Sequence, residues 1–480
     1  MRDEDVVIKT ERHGSERLLV WNVVAMVLVP SLLFSGHSAL SVGLFIALGI
    51  LAPINVVVYK RVWLDAPRFN TQKYFLALVP YLISLGIVCV GVASPSVTVE
   101  MMDGMEYFVL NTDNPSLITS SAISGTHAIL GELEILAAAA CALSIYFITE
   151  SRFVMMKIFM ICAIIAGFLA LFGFAYAFVN SIDILEMPAL GRNFFSTFPE
   201  SSQWTAFALL WMAASFVVAS YTSQRFSPMT ILLSARFAAT VVALLLLGSV
   251  FCCATPLEKA LSLGVAAFGF AILAADVLPT KSSMRRHAPE SKRVRMAKSP
   301  SIMIAPFAVY AILAASAAVG AAAVWLCNLS GPSEEILANA QHSSVITAQE
   351  RMAILSDIKE PMEMRPLFGW GSESFPTVFS FYQGVDLGEG VWFTPKSDLM
   401  EKLFENGIVG LALSFATPLC FLLLWIFRRQ YSIQSVLLFA ALAAVLAMSV
   451  FGSPFASTSV LISFWVVMMT AYRWANAEVR

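Results

Sequence analysis

The sequence predicts an all-α protein, a polytopic bundle of about twelve transmembrane helices with one long polar segment late in the chain. Three observations carry this reading. Apolar side chains make up 58% of the 480 residues and charged ones 13%, at a mean hydropathy of +0.77. Soluble domains run at roughly 45–50% apolar and about 25% charged, so this chain has too little polar surface to stay wetted. The same numbers exclude a disordered chain, a coiled coil and a nucleic-acid binder. Second, the apolar residues fall in runs of membrane-spanning length. Third, lysine and arginine collect in alternate loops.

A bilayer core is about 30 Å thick and a helix rises 1.5 Å per residue, so a span needs about 20 apolar residues. Such runs lie near 18–36, 39–59, 75–95, 128–149, 154–178, 204–220, 230–252, 258–278, 302–327, 403–427, 433–452 and 456–473. The first follows a charged tail, 1–17, and a second run begins almost at once; this reads as a retained signal anchor and not a cleaved leader. Lys60, Arg61, Arg68 and Lys73 separate spans two and three, and Arg152 and Lys157 mark the turn into span five. Arg428 and Arg429 follow span ten, and Arg473 and Arg480 close the chain. The loop 279–300 is densest, with Lys281, Arg285, Arg286, Lys292, Arg293, Arg295 and Lys298. All fall on one side if both termini are cytoplasmic. A basic run also suits a nucleic acid or a partner, but the topology signal explains it without either.

The other side is acidic. Pro95–Thr126 carries Glu100, Asp103, Glu106 and Asp113 without a lysine or arginine, and Asn180–Gln203 carries Asp183, Glu186 and Glu200 with Arg192 its only cation. The chain thus divides into the tail 1–17, spans one to nine within 18–327, a loop 328–402, and spans ten to twelve with the C-terminus in 403–480. Loops beyond about 12–15 residues are uncommon without structure of their own and are usually functional. The segment 328–402 is therefore expected to fold into short helices on the membrane face and to hold any chemistry. The seven cysteines are dispersed with no CxxC, which gives neither a disulfide framework nor a zinc site. No metal or other cofactor is expected.

Within the loop, Ile354, Leu355 and Ile358 fit one face of a short amphipathic helix that Pro361 should end. Gly369 and Gly371 bracket Trp370 and permit a sharp backbone turn where a ligand or helix comes close. Alone, Gly-Trp-Gly is as readily an ordinary tight turn. At the mouth of span ten stand Lys396, Ser397 and Asp398, with Ser397 or Asp398 suited to an N-cap. Tyr382, Trp392 and Phe393 could offer stacking faces to a sugar or anchor the loop at the interface.

Arg351, the run Pro366-Leu367-Phe368-Gly369-Trp370-Gly371, and the run Lys396-Ser397-Asp398 through Glu405-Asn406-Gly407-Ile408-Val409-Gly410 together resemble the O-antigen ligase and Wzy-type O-antigen polymerase superfamily. The likeness covers Arg351–Leu411. Gly191–Glu200 and Leu233–Ala238 are weaker echoes, and the first 150 residues contribute topology alone. The resemblance implies a metal-independent glycosyltransferase of the GT-C type in a bacterial inner membrane, with both termini cytoplasmic and a periplasmic active face. Its donor would be an undecaprenyl-diphosphate-type lipid-linked glycan. Its acceptor would be a glycan hydroxyl for a polymerase or lipid A core for a ligase. Membrane lipids and polysaccharide export or chain-length machinery are the implied partners.

A diphosphate leaving group suits arginine, whose planar fork binds phosphate oxygens and stays charged, and without a metal such cations must meet the developing charge. The resemblance gives this role to Arg351, with Arg192 a second cation on topological grounds and Arg365 assisting. Arg236 is in conflict. Similarity makes it an active-site arginine, whereas the topology puts it at the cytoplasmic end of span seven, where it would snorkel to headgroups. Lys396 stands where ligases of the family carry histidine. With an ordinary pKa of about 10.4 it is a phosphate-binding cation, or a base if desolvated; proton removal could instead fall to Glu373 or Asp398. A solvated loop acid and a helix cap are the plainer readings of those two.

Glu132 and Glu134 open span four. Ionisable groups in a span are functional by default, but two positions apart they diverge by about 200°, and their nearness to the interface suits wetted headgroup-level acids. A transporter is a third reading. Transporters commonly show repeated halves; none is visible, and the polarity sits in one late loop, as for an enzyme working on one face. Lys396 in place of histidine favours polymerase over ligase.

Overall fold

A computed structural model describes residues 2–36, 39–62, 71–93, 97–102, 105–110, 125–148, 152–181, 195–221, 235–277, 348–372, 374–384, 387, 392, 394–428 and 432–476. The first eight helices are α1 (Arg2–Leu32), α2 (Ala39–Val62), α3 (Thr71–Val92), α4 (Gly125–Ile148), α5 (Arg152–Ser181), α6 (Ser201–Tyr221), α7 (Ala235–Cys253) and α8 (Pro256–Val277). Short helices α9 (Ala348–Asp357), α10 (Lys359–Met364) and α11 (Phe375–Phe379) follow, then α12 (Asp398–Arg428), α13 (Ile433–Phe451) and α14 (Thr458–Asn476).

Among the described residues, nine helices are long and apolar enough to cross a membrane, with a shorter apolar helix at Arg17–Leu32. That is the helical, multi-pass architecture the composition requires. The twelfth predicted run coincides with α14. The ninth, 302–327, the basic loop 279–300 and the stretch 328–347 lie outside the described residues.

One element departs from the helical expectation. Strands β1 (Val97–Met102) and β2 (Met105–Leu110) form an antiparallel hairpin, with Val97 opposite Leu110 and Met102 opposite Met105. The two residues between them in the sequence are Asp103-Gly104. Asp-Gly between β-prone runs is a strong short-range hairpin signal.

Helix α6 is the axis of the bundle. It is apolar all round, as a helix enclosed by others must be, and 94% of its span is buried. Its indoles need partners inside the bundle: Trp204 Nε1 donates to Ser249 Oγ on α7 at 3.1 Å, and Trp211 Nε1 to Ser463 Oγ on α14 at 3.1 Å. The spans of α7 and α12 are each only 22% buried. Their exposed leucines and phenylalanines, such as Leu244, Phe415 and Leu419, suit lipid contact.

The helices alternate in direction, which sorts the connections onto two faces. One face gathers Phe34–Gly36, the hairpin, Phe195–Glu200, α9 to α11 and the turn Gly452–Ser457. The described basic helix ends, Lys60, Arg61, Lys73, Arg152, Arg428 and Arg473, lie at the other face. There Arg152 sits over the Trp474 ring at 5.5 Å and Arg473 over Tyr146 at 5.6 Å.

On the first face the described part of the loop forms the short helices α9 to α11 around a core of Ile354, Ile358, Trp370, Phe375, Val378, Phe379 and Leu387, closed by Phe404 of α12. The expected helix boundary needs correction. The first helix stops at Asp357, and Pro361 is the third residue of α10, because the first helical turn needs no N–H partners and tolerates proline.

Helix α12 is broken at Gly407 (φ 62°, ψ −169°). The break leaves backbone groups free to pair with the loop. Trp370 N–H donates to Phe404 O at 3.0 Å and Gly371 N–H to Glu405 O at 2.7 Å; Ile408 N–H donates to Pro366 O and Val409 N–H to Leu367 O, both at 3.0 Å. Gly369 (φ 66°) has no room for a side chain, since a Cβ there would lie 2.3 Å from Glu405 O, and one on Gly407 would lie 2.3 Å from Leu367 O. A Gly407→Ala variant is expected to lose about 1–3 kcal/mol or more, from backbone strain alone, and to show a lower thermal midpoint in detergent. Gly264→Ala, where a Cβ meets nothing within 4 Å, should not. Equal midpoints would contradict the interlock.

Candidate functional site

The polar side chains of the first face converge where α12 begins. Ser397 caps the helix: its carbonyl accepts from Glu401 N–H at 3.0 Å and its hydroxyl from Met400 N–H at 3.5 Å. Lys396, one residue earlier, takes a left-handed conformation (φ 53°), which sends its side chain across to α6. Its Nζ donates to Glu200 Oε1 at 2.5 Å, with the two side chains 13% and 16% exposed. Glu200 Oε2 also accepts from Ser202 Oγ at 3.3 Å. Glu200 is presented by a tight turn in which Phe195 and Phe198 exchange two backbone hydrogen bonds of 3.1 Å. Phe195, Phe198 and Trp204 bury that turn in the bundle.

Asp398 is tied to the α13–α14 turn. Its N–H donates to Gly452 O at 3.2 Å, and its Oδ2 accepts from Phe455 N–H at 3.0 Å. Arg351 reaches the same turn: Nη2 donates to Phe451 O at 2.9 Å, with the guanidinium 5.7 Å from the Phe451 ring centre. Asp398 and Arg351 therefore meet at one turn, with Lys396 two residues before Asp398 and paired to Glu200, and Gly369 and Gly371 lie in the backbone interlock that seats α12.

Behind this cluster lies a cavity of about 120 Å³ between α4, α12, α13 and α14. Asp398 and Lys402 line it near the start of α12, and Leu411, Phe415, Pro418 and Trp465 line it along the membrane helices. It is an apolar slot with a charged mouth.

Arg365 goes elsewhere. It is 9% exposed, 4.5 Å from the Trp370 ring centre, and burial pushes its guanidinium pKa down. Trp370 is itself fixed by Nε1 donating to Pro361 O at 2.7 Å. Arg365 thus packs within the loop's own core. Tyr382, whose hydroxyl donates to Met364 Sδ at 3.3 Å, and Trp392 also pack on that core; burial, with Glu360 nearby, pushes the Tyr382 phenol up. Arg236 starts α7 at the opposite face, where Nη2 donates to Leu273 O at 3.4 Å. The structure thus separates Arg236 from the cluster at the start of α12. Arg192, Glu373 and Phe393 lie outside the described residues.

Two participants, Glu200 and Lys402, escaped the sequence reading, and a third, Glu132, was misplaced by it. Glu200 was visible only as one loop acid among several. Lys402 follows Asp398 by four residues, the spacing that puts two side chains on one helix face, and that signal was available. Glu132 is the largest correction. Instead of a wetted acid it is 2% exposed, accepting from Ser84 Oγ of α3 and from Asn406 Nδ2 of α12, each at 2.9 Å. Glu134 faces the other way, as the helical geometry requires, and accepts from Thr458 Oγ1 of α14 at 2.7 Å. Among the described residues no three His, Cys, Asp or Glu side chains gather in a metal-holding group.

Compared with protein-family models and with curated proteins, the chain matches none.

The Lys396–Glu200 pair is a mostly buried charge contact, so removing one partner strands the other. Glu200→Gln is expected to cost about 1.5–3 kcal/mol of stability, the scale of a hydrogen bond to a charged group. A double-mutant cycle with Lys396→Met should give a coupling above about 0.5 kcal/mol, read from thermal or denaturant unfolding in detergent. Additive effects would contradict the pair.

Proposed function

We propose that this chain is a bacterial inner-membrane glycan transferase, most readily a Wzy-type polymerase joining polyprenyl-diphosphate-linked oligosaccharide units into a surface polysaccharide. The observation that carries the proposal is the charged mouth of the apolar slot. Lys402 and Asp398 line the entrance, Lys396 lies just before α12, Arg351 reaches the α13–α14 turn from α9, and the walls are membrane helices. A lipid-linked diphosphate has the complementary form, an anionic head on a long apolar chain. This reading adds a GT-C-like architecture of about twelve spans, cytoplasmic termini, a periplasmic active face and no metal.

In this reading only the part of the donor's chain next to its diphosphate enters the slot, the rest lying in the bilayer, and the diphosphate meets Lys402 and Arg351. The cations oppose the charge that grows on the leaving diphosphate as the glycosidic bond breaks. The acceptor hydroxyl loses its proton to a carboxylate on the same face. Asp398 lines the slot beside the leaving group, and Glu200 is held within reach by Lys396. On displacement of Glu200 by the diphosphate, Lys396 becomes a further phosphate-binding cation. Arg192 keeps the role of second diphosphate-binding cation that its topology suggests, and Glu373 that of an alternative base. Arg365 supports the Trp370 turn from within the loop and Arg236 the opposite end of α7, so neither is assigned to the diphosphate.

A ligase acting on lipid A core is the alternative with the same chemistry. Lys396 in place of histidine favours the polymerase. A transporter finds less support, because the charges gather at one face and not at mid-membrane.

Two variants test the assignment in cells that make the polysaccharide. Arg351→Ala should abolish polymer while leaving the amount of protein in the membrane unchanged, and normal polymer would overturn the role of Arg351. Lys396→His should lower polymer at neutral pH, where most histidine of ordinary pKa, about 6.5, is uncharged. Unchanged polymer would show that the position orients or donates and would overturn a cationic role.

A further inference from the structure

We propose that Glu132 is a positioning residue: a buried carboxylate that fixes, through Asn406, where α12 breaks and hence where Lys396, Asp398 and Lys402 stand. An ionised carboxylate among membrane helices is costly unless it is paired and hydrogen-bonded. Here each oxygen has its own donor from a different helix, Ser84 of α3 on Oε2 and Asn406 of α12 on Oε1. The Lys402 ammonium stands 3.9 Å from Oε1. Of these three, Ser84 and Asn406 belong neither to the slot nor to the Lys396–Glu200 pair, while Lys402 also lines the slot.

The position of Asn406 gives this cluster its meaning. It immediately precedes Gly407, the point of the break, and its other amide atom, Oδ1, accepts from Ser372 Oγ at 3.3 Å. Ser372 in turn directly follows Gly371, which closes the interlock from the loop side. One side-chain amide therefore links the two halves of the backbone interlock and hands both to Glu132 on α4. The helical segment 398–406 is held at its far end by Asn406 and at its near end by Ser397 and Asp398. Its pitch decides how Lys402 and Asp398 meet the slot.

A carboxylate accepts from Ser84 and Asn406 at once and places negative charge beside the Lys402 ammonium. Glutamine keeps the acceptor for Asn406, but its N–H₂ must donate back to the Ser84 hydroxyl, which turns to accept, and the charge facing Lys402 is lost. Glu132→Gln should therefore weaken the interlock, since hydrogen bonds to a charged group are the stronger ones. Hydrogen exchange of the full-length protein in lipid nanodiscs reads this directly. The amides of Trp370, Gly371, Ile408 and Val409 should exchange about tenfold faster, in proportion to the population of the opened state, with α6 unchanged. Ser84→Ala, which removes one donor only, should accelerate the same amides by about threefold and serves if Glu132→Gln does not fold.

The exchanged pair, Glu132→Gln with Asn406→Asp, restores the pattern. The glutamine amide donates to the new carboxylate, its oxygen accepts from Ser84, and Ser372 still has an acceptor. Exchange should return to within about threefold of the native protein.

The activity arm, which alone rests on the transferase reading, predicts a lower kcat in Glu132→Gln, a KM for the lipid-linked donor within about twofold, and recovered kcat in the exchanged pair. Unchanged exchange in both Glu132→Gln and Ser84→Ala, or an exchanged pair no better than the single variant, would overturn the inference. The expected exchange pattern without glycan transfer by the native protein would leave the positioning role standing and overturn the transferase reading instead.

Discussion

Four backbone hydrogen bonds between Pro366–Gly371 and Phe404–Val409 hold the first face together. A helix interior ordinarily uses each N–H on the carbonyl four residues earlier. By breaking at Gly407, α12 releases Ile408 and Val409 N–H and the Phe404 and Glu405 carbonyls for the loop. The membrane-facing half continues as a lipid-exposed span, while the half before the break belongs to the polar cap. Irregular backbone at membrane depth is tolerated where protein satisfies it, and here the loop does so.

The charged groups follow from that constraint. Once the start of α12 is held against the loop, Ser397 caps it, Asp398 meets the Gly452–Phe455 turn and Lys396 is thrown toward Glu200. Arg351 reaches the same turn from α9. The apolar slot opens beneath, walled by α12, α13 and α14. An arrangement with Asp398 and Lys402 lining a small apolar slot, and Lys396, Glu200 and Arg351 close by on the same face, suits an anionic amphiphile and a reaction that needs both cations and a base.

Much of this was legible in the sequence, for physical reasons that differ by element. Spans are legible because about 20 apolar residues have few other uses. Gly369 and Gly371 flagged a close backbone approach, and Lys396 and Asp398 flagged the mouth of a span; both features are present. The contacts that complete the site were not legible. Lys396 and Glu200 are 196 positions apart and Glu132 and Asn406 are 274 apart, and no periodicity links residues over such distances. Gly407 reads as an ordinary glycine in an apolar run until its partner carbonyls are seen. Glu132 was misjudged because nearness to a span's end says nothing about which side chains cover it. The hairpin signal at Asp103-Gly104 was present and unused, and Pro361 was read as a stop although a new helix could begin there.

The proposed transfer of a glycan from a lipid diphosphate to a hydroxyl is tested most directly with purified protein in liposomes, given only a polyprenyl-diphosphate-linked oligosaccharide. A ladder of lengthening lipid-linked products is expected, with one polyprenyl diphosphate released for each unit added. Transfer that appears only when lipid A core is supplied would make the protein a ligase and contradict the polymerase. Movement of intact donor across the bilayer with no new glycosidic bond would contradict the transferase altogether.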